Sequence, residues 1–435
     1  MKMLILLLLA STVGAISIHV PQDQPTIQVA LNGSAVGDVI LVSPGAYEGN
    51  ITFPPHAVEL RSVGGPASTV LIASSGSVVT FQNGQSNATV IEGFSITGGT
   101  GTPATVNGRF RGGVGGGIIC RNNSNPIIRE NWIYGNTAIW PTGLGGGIFN
   151  WSSHPLIEGN WIHHNEAHFG GGLFMFYSSS IVRDNIFESN TTQYGNAEYG
   201  IGKGGGIRVF MGNSQIDGNT FVGNYCHGGG SGVALSELGT QSIIRRNLMV
   251  GNINGLAIEF AYGASGQLGC NMLWSNQPSN SWPSPSYWTN LGGNSVTDPI
   301  LCDSAWPWRV SENSPCLPGQ NPQGPECGWI GATRSTCNDV VEADESLPES
   351  WSLGDPWPNP FNPTTRFLVS AAELGWMKLQ VFNMRGDLVM QLHDGLLEAG
   401  AHDFQIDGSG LPSGIYLLRL QAEGFSTAQR LILLR

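Results

Sequence analysis

NPIIRENWIYGN at 125–136 is rewritten as HPLIEGNWIHHN at 154–165, SSIVRDNIFESN at 179–190, NSQIDGNTFVGN at 213–224, QSIIRRNLMVGN at 241–252 and SGQLGCNMLWSN at 265–276. An imperfect first copy is ATVIEGFSITGG at 88–99. Between copies stands a second phrase: GGGII at 115–119, GGGIF at 145–149, GGGLF at 170–174, GGGIR at 204–208, then GGGSGVAL at 228–235. Asn131, Asn160, Asn185, Asn219, Asn247 and Asn271 are 29, 25, 34, 28 and 24 residues apart. A unit of that length suits a leucine-rich repeat, a helical repeat or one coil of a β-helix. The pattern inside the unit decides. Ile128, Asn131, Ile133 and Asn136, like Ile157, Asn160, Ile162 and Asn165, give alternating apolar positions, the mark of short strands with one buried face. A 3.6-residue period never develops, and Gly and Asn disfavour helix. The asparagines fit tight turns, since Asn tolerates left-handed backbone angles. Stacked coil on coil, they can hydrogen-bond in a ladder, as amides do in other stacked sheets. Seven coils at roughly 4.8 Å each make a rod on the order of 35 Å long.

Outside the repeat, a length of 435 residues leaves room for two or three domains. Only 11% of residues are charged and 62 are glycine, while 40% are hydrophobic, which suits a turn-rich β-protein. A net charge of −12 excludes a basic nucleic-acid-binding face as the general character of the chain. Residues 1–15, MKMLILLLLASTVGA, read as a secretory signal peptide, with an apolar run too short to span a membrane. Residues 25–31 can form a short amphipathic helix with Pro25 early in it, Asp38–Val42 a strand, and 44–47 a turn. A cap is expected there, because an open solenoid end exposes core and strand edges.

HVPQDQPTIQVALN, GDVILVSPGAYEGNITF and VIEGFSITGG resemble the start of secreted bacterial right-handed parallel β-helix proteins of the pectin-lyase-like superfamily. The resemblance covers about residues 18–337, and implies a fold but no single chemistry, since such proteins include lyases, hydrolases, esterases and adhesins. Residues 16–337 are therefore expected to be the rod, with a disulfide-bearing C-terminal end. Cys302, Cys316, Cys327 and Cys337 crowd there in an exported chain, and of three possible pairings neighbours are favoured, Cys302–Cys316 and Cys327–Cys337. Cys120, Cys226 and Cys270 read as buried filler. Residues 338–355 form an acidic linker. Residues 356–435 alternate in strands at 377–383, 388–392, 402–406, 415–421 and 429–434, as a small β-sandwich does. PNPFNPTT at 358–365, MRGDLV at 384–389, EAGAHDFQIDG at 398–408, LPSGIYLLRL at 411–420 and RLILLR at 430–435 are similar to C-terminal sorting domains of the type IX secretion system, which are immunoglobulin-like. That resemblance implies the secretion machinery as a partner and a secreted or outer-surface location on a bacterium. Arg385-Gly386-Asp387 reads as a hairpin turn before it reads as an adhesion tripeptide.

Function is expected where the coils stop repeating, because a regular scaffold carries its sites on loops. The variable loops supply Arg109 and Arg111, Trp140, His168, and Tyr194 and Tyr199, and stacking should align them as walls of a groove. Trp132 and Trp161 share one outward column, and Tyr134 and His163 the next. Such rings are suited to stack on sugars. A covering loop would serve them equally. Paired carboxylates for glycoside hydrolysis are poorly supplied: Glu130 and Asp184, or Glu158 and Asp217, stand two coils apart, roughly 9.6 Å. Lys203 is the only lysine of the rod, and Arg129, Arg183 and Arg245 share a column of unknown direction. HHNEAH at 163–168 can be written as a metal motif but reads first as a solvated turn, and no metal or cofactor site is legible. The expected protein is thus a monomeric, exported glycan- or polysaccharide-binding rod. A polysaccharide lyase or glycosidase, and a purely structural or adhesive rod, remain as alternatives.

Overall fold

The computed structural model describes residues 15–138, 142–193, 202–302, 308–332, 336–337, 351–354, 356, 359–371, 375–397, 400–422 and 425–434. It divides into two compact units at residues 338/339. The expected signal peptide falls on residues 1–14, outside the described part, apart from Ala15.

The first unit is the expected parallel β-solenoid. Its coils contribute to three sheets, of eleven, nine and eight strands, here called the first, second and third. Ile127–Arg129, Trp132–Tyr134 and Ile148–Trp151 are representative strands of the three. Every coil pairs in register with the next, Trp132 opposite Trp161 and Ile118 opposite Ile148. Ile128, Ile133, Ile157, Ile162, Phe187 and Phe221 point inward and are fully buried, with Cys120 as filler among them.

Both asparagine columns are ladders. Nδ2 of Asn131 donates to Oδ1 of Asn160 at 3.1 Å, and the series continues through Asn185, Asn219, Asn247 and Asn271 to Asn294. The second runs from Asn136 through Asn165, Asn190, Asn224, Asn252 and Asn276 to Asn280. The asparagines do not themselves take the left-handed angle that the sequence suggested. The residue before each of them except the terminal Asn280 does, as at Glu130 (φ 55°), Asp184 (φ 55°), Arg246 (φ 53°) and Cys270 (φ 57°). That residue turns the chain while the Asn keeps its amide aimed at the stack. The glycine triplets pack backbone on backbone: a Cβ on Gly146 would sit 2.5 Å from the carbonyl oxygen of Gly171 in the next coil.

Outward on the first sheet, two expected columns prove to be one. Arg61, Glu92, Arg129, Glu158, Arg183, Asp217 and Arg245 follow one another in register, alternating in sign. Nε of Arg129 is 2.8 Å from Glu92, that of Arg183 is 2.8 Å from Glu158, and that of Arg245 is 2.9 Å from Asp217. Opposite charges face each other at every step, which favours this order of coils. Asp217 also takes two bonds from Arg246, at 2.7 Å each. Asp217→Asn is expected to lower stability by about 1 kcal/mol, the upper end for partly exposed pairs, read as a shift in the urea midpoint.

Three local expectations change at the N-terminal end. The helix (α1) is Ile27–Gly33, starting later than 25 because Thr26 is its N-cap and accepts from Val29 N–H. Gly45–Glu48 is a strand of the second sheet rather than a turn, because it pairs with Thr69–Ile72. The 102–114 stretch is an antiparallel hairpin, Thr102–Val106 with Arg109–Val114. Its turn is Asn107-Gly108, both at positive φ, the favoured two-residue hairpin turn.

The disulfides also differ from the expected pairs. They join Cys270 to Cys327 and Cys302 to Cys337, and Cys316 is free and buried. The segment from Cys302 leaves the end of the rod and lies back along the outer face of the second sheet. There Val310, Cys316, Leu317 and Ile330 pack on Leu248, Val250 and Met272. Cys302 and Cys337 meet because Val310 pairs with both Leu301 and Thr336. Cys327 meets Cys270 because the position before a ladder asparagine points outward.

The second unit has two antiparallel sheets, of three and four strands. The five expected strands are present as Gly375–Asn383, Leu388–Leu397, Gly400–Asp407, Gly414–Ala422 and Phe425–Leu433. Thr364–Ala371 and Ser352–Leu353 are added to them. The last lies within the stretch read as linker, because Trp351 and Leu353 are buried in this core. The hydroxyl of Tyr416 donates to the carbonyl of Pro412, a bond typical of immunoglobulin-like corners. Arg385 to Asp387 form the hairpin turn expected, closed by Asn383.

Candidate functional site: two clefts on the rod

The candidate residues separate onto two faces. Trp132, Trp161, Tyr134 and His163 stand on the outer face of the second sheet. The centroids of Trp132 and Trp161 are 5.5 Å apart, Tyr134 stacks on His163 at 4.9 Å, and Trp161 on His163 at 4.1 Å. Nε1 of Trp161 donates to Glu188 at 2.8 Å. The returning C-terminal segment lays Trp308 against Trp161 at 5.2 Å. The stripe is thus covered at one end and open at the other. The open part walls a cleft of about 600 Å³, with Glu92, Glu130 and Asp184 beside the indoles. Burial, and then the neighbouring Glu92 and Glu158, raise the pKa of Glu130 from its ordinary value, which makes it a weaker acid. Burial, and then His164, push His163 down to about 3, so its ring is neutral. His168 of the same HHNEAH motif lies beyond the second ladder, buried and edge-on to Phe169 at 4.3 Å. Among the described residues no three His, Cys, Asp or Glu side chains gather as a metal site.

The second cleft, about 690 Å³, lies on the outer face of the third sheet. Its floor is built by stacking. Ile119, Phe149, Phe174, Arg208, Ala234 and Glu259 form one column, and Trp151, Phe176, Phe210 and Ser236 the next. Phe149 stacks on Phe174 at 5.7 Å and Phe176 on Phe210 at 5.2 Å. The 102–114 hairpin packs against this floor through Val106 and Val114. It brings exposed Arg109 to the cleft, and Arg111, whose Nη1 donates to Thr142 at 2.6 Å. Lys203 lies on the opposite side, bonded to Glu259 at 2.7 and 2.9 Å, with the exposed ring of Tyr262 5.4 Å from its Nζ.

The second cleft brings together Arg109, Arg111, Phe169 and Lys203, while His168 does not line it. Trp140, Tyr194 and Tyr199 lie outside the described residues. Reading the loops alone missed the floor: Phe174, Phe176, Arg208 and Phe210 belong to strands. The signal was present, because GGGII, GGGIF, GGGLF and GGGIR show Arg208 interrupting an apolar column. Arg129, Arg183 and Arg245 of the first sheet, by contrast, are held by carboxylates on another face.

Residues 62–221 match the family described as right handed beta helix region, and residues 356–434 the secretion system C-terminal sorting domain. The sorting domain marks export by type IX secretion to the cell surface or extracellular space. Among solved structures, pectin methylesterase from carrot is similar at 12% identity and a TM-score of 0.37, over 66% of this chain and 90% of its own. No curated protein matches the chain.

Proposed function

We propose that this chain, an exported right-handed β-helix with a type IX sorting domain, binds polysaccharide in the cleft between the 102–114 hairpin and the third sheet. The observation that carries the reading is the composition of that cleft. Aromatic rings and the cations Arg109, Arg111, Lys203 and Arg208 converge there, on a chain whose overall charge is −12. Aromatic faces suit the apolar faces of sugar rings, and cationic forks suit their polar substituents. From Leu144 through Phe169 and Lys203 to Gly228 the lining of the cleft crosses three coil spacings, roughly 14 Å. An extended oligosaccharide fits such a length and a compact metabolite does not.

Affinity electrophoresis of the full chain in gels containing pectins, alginate, glucans or sulfated galactans tests this. Retardation by at least one polysaccharide is expected. Tyr262→Ala should weaken it by about two- to tenfold, the range of one aromatic contact. The Trp132→Ala, Trp161→Ala pair should leave it unchanged. Retention that depends on the tryptophans and not on Tyr262 would move the site to the first cleft. New reducing ends, or absorbance at 235 nm, would replace binding by cleavage.

A further inference from the structure

We propose that Arg208 is a preformed receptor for one oxyanion, a carboxylate or a sulfate ester, carried by the chain that lies in this cleft; the proposal rests on the polysaccharide reading above. Arg208 is only 6% exposed. Its Nε and Nη1 have no hydrogen-bond partner among the described residues. Its guanidinium carbon lies 4.1 Å from the ring centroid of Phe169, 5.5 Å from that of Phe174 and 5.6 Å from that of Phe210.

On the first sheet, arginines are held by carboxylates, as Arg245 and Arg246 are by Asp217. Here two carboxylates, Glu259 and Glu237, act on Arg208 through their charge, but neither is bonded to it among the described residues, and Glu259 is occupied by Lys203. Rings can hold a cation over their faces, but they accept no N–H bond in the fork direction. Burial lowers the guanidinium to about 10, so it remains charged at neutral pH. A buried charge without a bonded counter-ion is costly, and an oxyanion entering the cleft would supply one through paired, charge-assisted bonds. The position is rigid, since Arg208 sits within the strand Ile207–Phe210, paired on both sides. Arg109 and Arg111 on the hairpin add positive field above it.

The test compares binding of the full chain to polygalacturonate, a sulfated galactan and a neutral galactan, for the wild type, Arg208→Met and Arg208→Lys. The wild type should prefer at least one charged polymer over the neutral one by about tenfold or more. Arg208→Met should lose that preference, yet melt no lower than the wild type, because it removes an unpaired buried charge and keeps the volume. Arg208→Lys, which keeps the charge without the fork, should lose most of it, and carries the test if the Met variant does not fold. A preference for carboxylate over sulfate, or the reverse, identifies the group. An unchanged preference in both variants would overturn the proposal, as would a lower melting temperature of Arg208→Met with the preference intact. Equal binding of the neutral polymer by the wild type would overturn it while leaving polysaccharide binding standing. No retention on any polymer would instead sink the broader reading.

Discussion

Asn185→Ala is expected to destabilise the rod by about 3 kcal/mol, among the largest effects of any single polar substitution in this chain. Asn185 is fully buried. Its Oδ1 accepts from the backbone N–H of Asn160 at 3.0 Å and from Nδ2 of Asn160 at 2.9 Å. Its Nδ2 donates to the carbonyl of Ile157 at 2.9 Å and to Oδ1 of Asn219 at 3.0 Å. Alanine removes all of these and leaves the backbone N–H of Asn160 buried without an acceptor. One orphaned buried group costs about 1–3 kcal/mol, and the space left by the amide adds to it. The same change at Asn294, the partly exposed last rung of that ladder, should cost under about 1 kcal/mol, since water can replace the amide. Urea unfolding followed by far-UV circular dichroism at constant m separates the two. Equal small losses at both sites would show that water enters the turn and that the ladder contributes little.

Removing the Cys270–Cys327 disulfide by Cys327→Ser with Cys270→Ser should cost about 3–4 kcal/mol, as expected for a bridge closing a loop of this length, 57 residues. The effect should be local. The bridge ties the returning segment to the last coils, where it covers Leu248, Val250 and Met272. Without it that segment should open at a lower denaturant concentration than the coils themselves, exposing the sheet face beneath. Proteolysis between residues 308 and 332 should quicken, and the fluorescence of Trp161 and Trp308, now in contact, should change together with it. Cys316 provides an independent reading. Burial pushes its thiol up to about 12, so it should resist maleimide in the wild type and react in the variant. Unaltered proteolysis and an unreactive Cys316 would mean that the apolar contacts alone hold the segment down.

Much of this was legible in the residues. Ile133 and Ile162 announced an inward column, and Asn131 and Asn160 a stacked one, because a coil that repeats must place equal residues at equal points. The Asn107-Gly108 hairpin was equally readable, and was overlooked because the stretch interrupts the repeat. Cys270 was misread as filler. Alignment with Glu130, Asp184 and Arg246 puts it in the outward position before the ladder asparagine, where a cysteine is free to meet another segment. The alternating charges of the first sheet were readable once the two columns were recognised as one, and they remove Arg129, Arg183 and Arg245 from any ligand site.

The sequence by itself determined the solenoid, the ladders, the inward core and the sorting domain, because each follows from a pattern repeated locally or matched in order along the chain. Only the tertiary structure decided which outward faces stay open. Trp132 and Trp161 occupy equivalent positions, yet the returning segment covers one end of their stripe. Arg208 lies in a column like any other, yet the fold leaves it buried among phenylalanines without a carboxylate bonded to it. Both outcomes depend on segments far apart in the chain meeting across a sheet face. A repeat cannot encode such a meeting, since the residues that make it occur only once.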